Sequence, residues 1–152
     1  MNVASILALK GNHVYTVRPE QTLQEASAEL SRLGIGALAV VEADGVVAGM
    51  VTEREILAAI ASGETSSLSD PVSAHMRKGP CIAAKSDAIY SVMEKMTGER
   101  HGYLLVVEGG HLAGILSLGD IVKSLLAQIE AERRALHEYI ASDRPPGPPD
   151  VD

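Results

Sequence analysis

Two stretches of the chain carry nearly the same pattern of apolar and polar positions. From Ile35 the first runs through an apolar block, Ala37–Val41, a turn at Ala43-Asp44-Gly45, and a second apolar block, Val46–Val51. It closes on the polar-headed segment Thr52-Glu53-Arg54-Glu55-Ile56-Leu57. Residues 101–122 repeat this design: Gly36, Leu38, Val40, Val41 and Glu42 recur 66 positions on as Gly102, Leu104, Val106, Val107 and Glu108. After one residue is lost from the turn, Ala48, Gly49 and Ile56 recur as Ala113, Gly114 and Ile121, and Thr52 and Glu55 answer to Ser117 and Asp120. A unit of this length, present twice, is too long for a solenoid repeat. It reads as a duplicated module whose copies pack together, with ligands expected in the cleft between them.

The pattern also predicts the elements. Each copy opens with a short helical or turn segment, Val3–Leu7 or Val72–Met76, followed by an extended piece at Val14–Val17 or Cys81–Ala83. Leu23, Ala26, Leu30 and Leu33, and likewise Ile89, Val92, Met93 and Met96, recur at helical spacing, with Thr22 and Asp87 placed as caps. Asp-Gly in the first copy and Gly109-Gly110 in the second predict hairpins between Ala37–Val41 and Val46–Val51, and between Tyr103–Val107 and Leu112–Leu116. The runs are nearly continuous, so the strands are expected to be buried on both faces. A helix over Glu53–Ser62 stops at Gly63, and a polar linker, Glu64–Asp70, leads to the second copy. The closing helix of that copy extends from Gly119 to Ala141, with a heptad-like seam of Val122, Leu125, Ile129, Glu132, Leu136 and Tyr139 that suggests a second subunit. Packing back on its own module is the alternative. The boundaries are 1–65 and 66–128 for the two modules, 129–142 for the helical extension, and 143–152 for a Pro-rich tail expected to be disordered.

Composition narrows the function. Hydrophobic residues make up 46% of 152, with no Phe or Trp and four Tyr, so the core is aliphatic. A formal net charge of −7 and no basic stripe argue against nucleic acid as a partner. No apolar run reaches membrane-spanning length, the first ten residues do not resemble a signal peptide, and a single cysteine suits a reducing compartment. The chain is expected to be cytoplasmic. The five histidines show no metal-ligand spacing, and no Gly-x-Ser-x-Gly, phosphate loop or triad is present, so the chain is not expected to be an enzyme.

Chemistry concentrates after each hairpin, in Gly49-Met50-Val51-Thr52-Glu53-Arg54-Glu55 and Gly114-Ile115-Leu116-Ser117-Leu118-Gly119-Asp120. Thr-x-x-Glu and Ser-x-x-Asp ahead of a helix are capping boxes, and both pairs could be purely structural. The same geometry also suits a nucleotide. A helix N-terminus offers free N–H groups to a phosphate, and the acid can accept hydrogen bonds from ribose hydroxyls. Arg54, Arg32, Lys10, Arg100 and Lys123 are the cations that could reach a phosphate.

Both copies resemble CBS domains, the modules named after cystathionine β-synthase, and together they resemble a Bateman module from about Asn2 to Gln128. The run Ile-Leu-Ser-Leu-Gly-Asp-Ile-Val-Lys with its long charged helix is similar to small stand-alone bacterial CBS-pair proteins. The resemblance implies an α/β (α+β) fold: tandem β-α-β-β-α domains packed as a pseudo-twofold pair with a long C-terminal helix. It also implies a non-catalytic regulatory module that binds an adenine nucleotide (AMP, ADP, ATP or NAD(H)) or S-adenosylmethionine, and that forms a homodimer signalling to a protein target. Carried over, the better site has Asp120, Ser117 and Ile115 facing Tyr15, Ile35 and Gly36. The weaker has Glu55, Thr52 and Met50 facing Cys81, His101 and Gly102, with Arg54 in its motif loop. Glu55 stands where the family has Asp, and Ala39 and Leu105 where it often has Pro. The competing expectation is a ligand-independent dimeric interaction module.

Overall fold

The computed structural model describes residues 1–11, 13–62 and 65–142, so the expected Gly63 helix stop and the Pro-rich tail lie outside the described residues. The elements are α1 (Val3–Lys10), β1 (Thr16–Val17), α2 (Leu23–Leu33), β2 (Ala37–Val41), β3 (Val47–Thr52) and α3 (Glu53–Ala61). After short 3-10 turns at Thr65–Ser69 and Val72–Ala74 come β4 (Ile82–Ala83), α4 (Ile89–Glu99), β5 (Tyr103–Glu108), β6 (His111–Ser117) and α5 (Leu118–Ser142). Each copy is thus β-α-β-β-α behind a helical leader. The sheets are β1-β2-β3 and β4-β5-β6, each with a parallel first pair and an antiparallel hairpin.

The period-2 geometry of the central strands sorts their side chains into separate cores. In β2, Leu38 and Val40 face the helices of the first module, whereas Ala37 and Ala39 face the other sheet. In β5, Leu104 and Val106 face the helices of the second module, and Leu105 meets Ala37, Ala39 and Met50 between the sheets. Small residues in the first copy oppose large ones at the equivalent positions of the second, Ala37 against Tyr103 and Ala39 against Leu105, so this central layer interlocks. Strand β6 is only half-buried, unlike the expectation for all four hairpin strands and unlike the equivalent edge strand β3, because its Ile115 and Ser117 border an open cleft.

The leaders cross over. Val3, Ile6 and Leu7 of α1 pack with Cys81, Ile89 and Ile121 of the second module, whereas Val72 and Met76 pack with Leu23, Leu38 and Val51 of the first. Backbone bonds pin each leader to the other copy: Val3 N–H donates to Asp87 O (3.0 Å), and Val72 N–H donates to Gln21 O (2.7 Å). Asp87 does not cap α4, contrary to the sequence pattern. Ala88 is the cap residue, and Asp87 turns back to accept from Ala84 N–H at 2.9 Å. Thr22 does cap α2, accepting from Glu25 N–H at 3.1 Å.

Candidate functional site

Both Thr/Ser-x-x-acid motifs close as reciprocal helix caps. At α5, Ser117 N–H donates to Asp120 Oδ2 (2.8 Å) and Asp120 N–H donates to Ser117 Oγ (3.0 Å). At α3, Thr52 N–H donates to Glu55 Oε2 (2.7 Å), the Thr52 hydroxyl bonds the same oxygen, and Arg54 N–H donates to Thr52 Oγ1 (3.2 Å). These bonds satisfy backbone groups that a helix start leaves open. What separates the motifs is how much of each carboxylate remains.

Asp120 faces a cleft of about 330 Å³ whose walls come from both copies. Ser117 and Ile115 line it from the second copy, and Tyr15, Ile35 and Gly36 from the first, so all six residues of the first expected set meet at one place. Lys10, His13, Ala37 and Tyr103 complete it; the His13 and Tyr15 rings lie nearly parallel, 14° apart with centroids 6.2 Å distant. Lys10 Nζ donates to Asp120 Oδ2 (2.7 Å) and to Ile115 O (2.8 Å). Burial pushes the Asp120 carboxyl up, but the Lys10 hydrogen bond, the bonds from Ser117 and the Lys10 charge outweigh it and hold the group below the usual range. Among the described residues Oδ1 takes no hydrogen bond, so one oxygen of a stable carboxylate faces the cleft.

The second set gathers less completely. A neighbouring cleft of about 220 Å³ is bordered by Met50, Thr52, Arg54 and Gly102, but not by Glu55, Cys81 or His101. Both Glu55 oxygens are committed, Oε2 to Thr52 and Oε1 to Arg77 (3.4 Å), and the side chain is only 11% exposed against 29% for Asp120. The longer Glu side chain reaches the arginine that Asp would miss. Cys81 is buried in the second core, where burial pushes its thiol pKa up. His101 turns to Arg77 and to Glu99 (3.1 Å). Arg77 and Arg100 line this cleft instead. Of the other expected cations, Arg32 pairs with Glu29 on the surface of α2, and Lys123 borders a separate groove beside α1.

Tyr103 lies between the two clefts and borders both. A Cβ on Gly36 would overlap its hydroxyl, so Gly36 is the residue that lets the ring in. Burial raises the Tyr103 pKa, and Glu53 and Asp120 add to the shift. Arg77 and His13 escaped the expected site because neither lies in the repeated stretches, and Tyr103 because the repeat does not keep it. Only the excess of a Tyr over the equivalent Ala37 signalled the last.

Among the described residues no group of His, Cys, Asp and Glu could hold a metal ion, and no helix is long and apolar enough to cross a membrane.

Comparison with known proteins agrees with the two-module fold. The family described as the CBS domain matches twice, at residues 9–62 and 72–127. The CBS domain-containing protein YhcV of Bacillus subtilis is 30% identical over 130 residues, 85% of this chain and 91% of that one. The crystal structure of the CBS-domain containing protein ATU1752 from Agrobacterium tumefaciens is 41% identical, with a TM-score of 0.76 over 80% of this chain and 91% of that one. The CBS domain protein PAE2072 from Pyrobaculum aerophilum, complexed with AMP, shares the fold at 23% identity, with a TM-score of 0.72 over 84% and 99% of the two chains.

Proposed function

Because the chain belongs to the CBS-domain family and carries the module twice, we propose that it is a non-catalytic regulatory module that binds an adenine nucleotide in the Asp120 cleft. One observation carries the reading: residues of both copies converge on a cleft bordered by Ser117 and by Asp120, whose Oδ2 is taken by Ser117 N–H and Lys10 while Oδ1 takes no hydrogen bond among the described residues. The carboxylate is the acceptor a ribose diol needs, and charge-assisted bonds of this kind are the strong ones. Ile35, Ala37, Ile115 and the Tyr15 ring offer a base apolar walls. The AMP complex of PAE2072 supports adenosine chemistry for this architecture. Lys10 pairs with Asp120 at the cleft wall and is a cation within reach of a phosphate bound there. Its departure from Asp120 would loosen the end of α1 from the start of α5, so occupancy is felt at the base of the long helix.

Adenosine and AMP are expected to raise the melting temperature, and guanosine is expected to do so less. A ligand specific for the folded state stabilises by about 2.7 kcal/mol at a hundredfold excess over its dissociation constant. Asp120→Ala removes about 1.5–3 kcal/mol of that binding, judged against the variant's own ligand-free melting point because the cap is lost too. Glu55→Ala leaves the adenosine shift in place. The closed capping boxes favour the second reading, a ligand-independent interaction module. It prevails if no adenine nucleotide shifts the wild type at millimolar concentration.

A further inference from the structure

The two copies close their motifs against the same pair of acceptors, by different means. Met50 and Ile115 hold equivalent places in β3 and β6, each directly after the shared glycine. In the first copy the backbone closes the edge: Arg77 N–H donates to Met50 O (2.8 Å), and Met50 N–H donates to Arg77 O (3.0 Å). The Arg77 guanidinium then reaches Glu55 Oε1 (3.4 Å). In the second copy one ammonium takes both equivalent acceptors. Lys10 Nζ donates to Ile115 O (2.8 Å) and to Asp120 Oδ2 (2.7 Å). Lys10 is the last residue of α1, so the group arrives on a side chain rather than on a paired backbone.

That difference decides what can be undone. Arg77 cannot leave Met50 without breaking two backbone bonds. The Lys10 and Asp120 side chains are 35% and 29% exposed. An ion pair this open to water is weak, and the flexible lysine stem can carry its ammonium out into solvent. Lys10 and Asp120 border both the larger cleft and the groove beside α1 that Lys123 lines, so the pair stands between the two.

The capacity of the carboxylate makes the pairing matter. Asp120 offers about four lone-pair positions, two on each oxygen. Oδ2 accepts from Ser117 N–H and from Lys10 Nζ and is filled, whereas Oδ1 takes no hydrogen bond among the described residues. A vicinal diol is matched best by one acceptor position on each oxygen. Oδ2 has none to give while Lys10 holds it.

We infer that Lys10 is a specificity-determining residue of the Asp120 cleft, an internal competitor that a ribose diol must displace before both hydroxyls bind. The inference rests on the nucleoside reading of that cleft and adds the term that sets its affinity. Lys10 makes the preference for a ribose over a sugar without the diol smaller than the carboxylate alone would make it. The first copy has no such adjustable term, because its equivalent acceptors are closed by the Arg77 backbone and by a guanidinium anchored to it.

Calorimetric titration of the full chain at neutral pH tests this, with adenosine and with dideoxyadenosine, which lacks both hydroxyls. The proteins are wild type, Lys10→Met and Lys10→Arg. Methionine keeps an unbranched stem and loses the ammonium, whereas arginine keeps a cation within reach of Asp120. Lys10→Met is expected to bind adenosine about fivefold tighter than wild type, the upper end of an exposed ion pair converted to affinity. Dideoxyadenosine affinity is expected to stay unchanged, and Lys10→Arg to match wild type. An equal gain for dideoxyadenosine overturns the inference, since the cleft has then merely opened. A gain in Lys10→Arg as large as in Lys10→Met overturns it too, because a cation is then not what competes. If wild type binds adenosine and Lys10→Met binds it no tighter, this inference alone fails. If none of the proteins binds adenosine, the nucleoside reading falls and takes this inference with it.

Discussion

At Asp120 one oxygen accepts from both Ser117 N–H and Lys10, and the consequence is a carboxyl titrating below its usual range. A folded-state pKa lowered in this way contributes stability that is fully present above the unfolded value, near 3.9, and is lost as pH falls through the lower folded value. Lys10→Met should therefore destabilise by about 1 kcal/mol or less at pH 7, since the pair is roughly a third exposed on each side. By pH 3 the difference should narrow. It should not vanish, because Lys10 also donates to Ile115 O, an acceptor that does not titrate. Urea unfolding of both proteins at the two pH values measures this, and an equal gap at both would show that the ion pair contributes nothing. The acid and hydroxyl of each motif were legible in the sequence because a capping box and a ribose acceptor require the same spacing. Arg77, whose pairing with Glu55 distinguishes the two motifs, was not legible, since it reaches the site from the other copy's leader.

The crossing of those leaders explains two glycines that the repeat keeps. Gly49 and Gly114 occupy equivalent positions in β3 and β6, where a leader from the opposite copy passes overhead. A Cβ on Gly49 would lie 2.6 Å from the Arg77 carbonyl oxygen, and one on Gly114 would lie 2.6 Å from Leu7 Cδ2. The obstacles differ in kind. Arg77 is fixed at the backbone by paired bonds with Met50 (2.8 and 3.0 Å), whereas Leu7 presents the end of a side chain. Gly49→Ala should thus cost more than Gly114→Ala, each within or above the roughly 1–3 kcal/mol of an overpacked core. Leu7→Ala makes room for Gly114→Ala, so their double-mutant cycle should show a favourable coupling of about 0.5–3 kcal/mol in urea unfolding. Additive effects would mean that Leu7 does not set the spacing. Hairpins, helices and even the glycines were readable from the repeat, because local periodicity and turn chemistry dictate them. Which module Val3, Ile6 and Leu7 join was not readable: an apolar helix face states that it must be buried, not against what. Asp87 failed for a related reason, its carboxylate finding a turn N–H three residues back before any helix N–H.

At the scale of the whole molecule, α5 is the part that two modules alone do not account for. Ile121 is fully buried and Leu125 packs on the second core, so the helix is anchored through its second turn. Beyond that, Leu126, Ile129, Leu136 and Ile140 are each about 60% exposed, and Val122 is 42% exposed. With Arg133 they follow alternating steps of four and three residues, the spacing of a coiled-coil seam. Val122, Ile129 and Leu136 also belong to the seam expected from the sequence, and Tyr139 is exposed beside it, but the core claims Leu125, so Leu126 takes its place in the stripe. An apolar stripe this long on a charged helix is costly to leave in water, and a second copy of the same helix supplies a matching surface. The chain is therefore expected to sediment as a homodimer at tens of micromolar. Leu126→Lys combined with Leu136→Lys should shift it toward monomer, and truncation after Gln128 should do the same while leaving Ile121 and Leu125 in their core. Because both changes spare the Asp120 cleft, adenosine binding should persist in the monomer. A wild type already monomeric at that concentration would remove the second copy as the partner of α5.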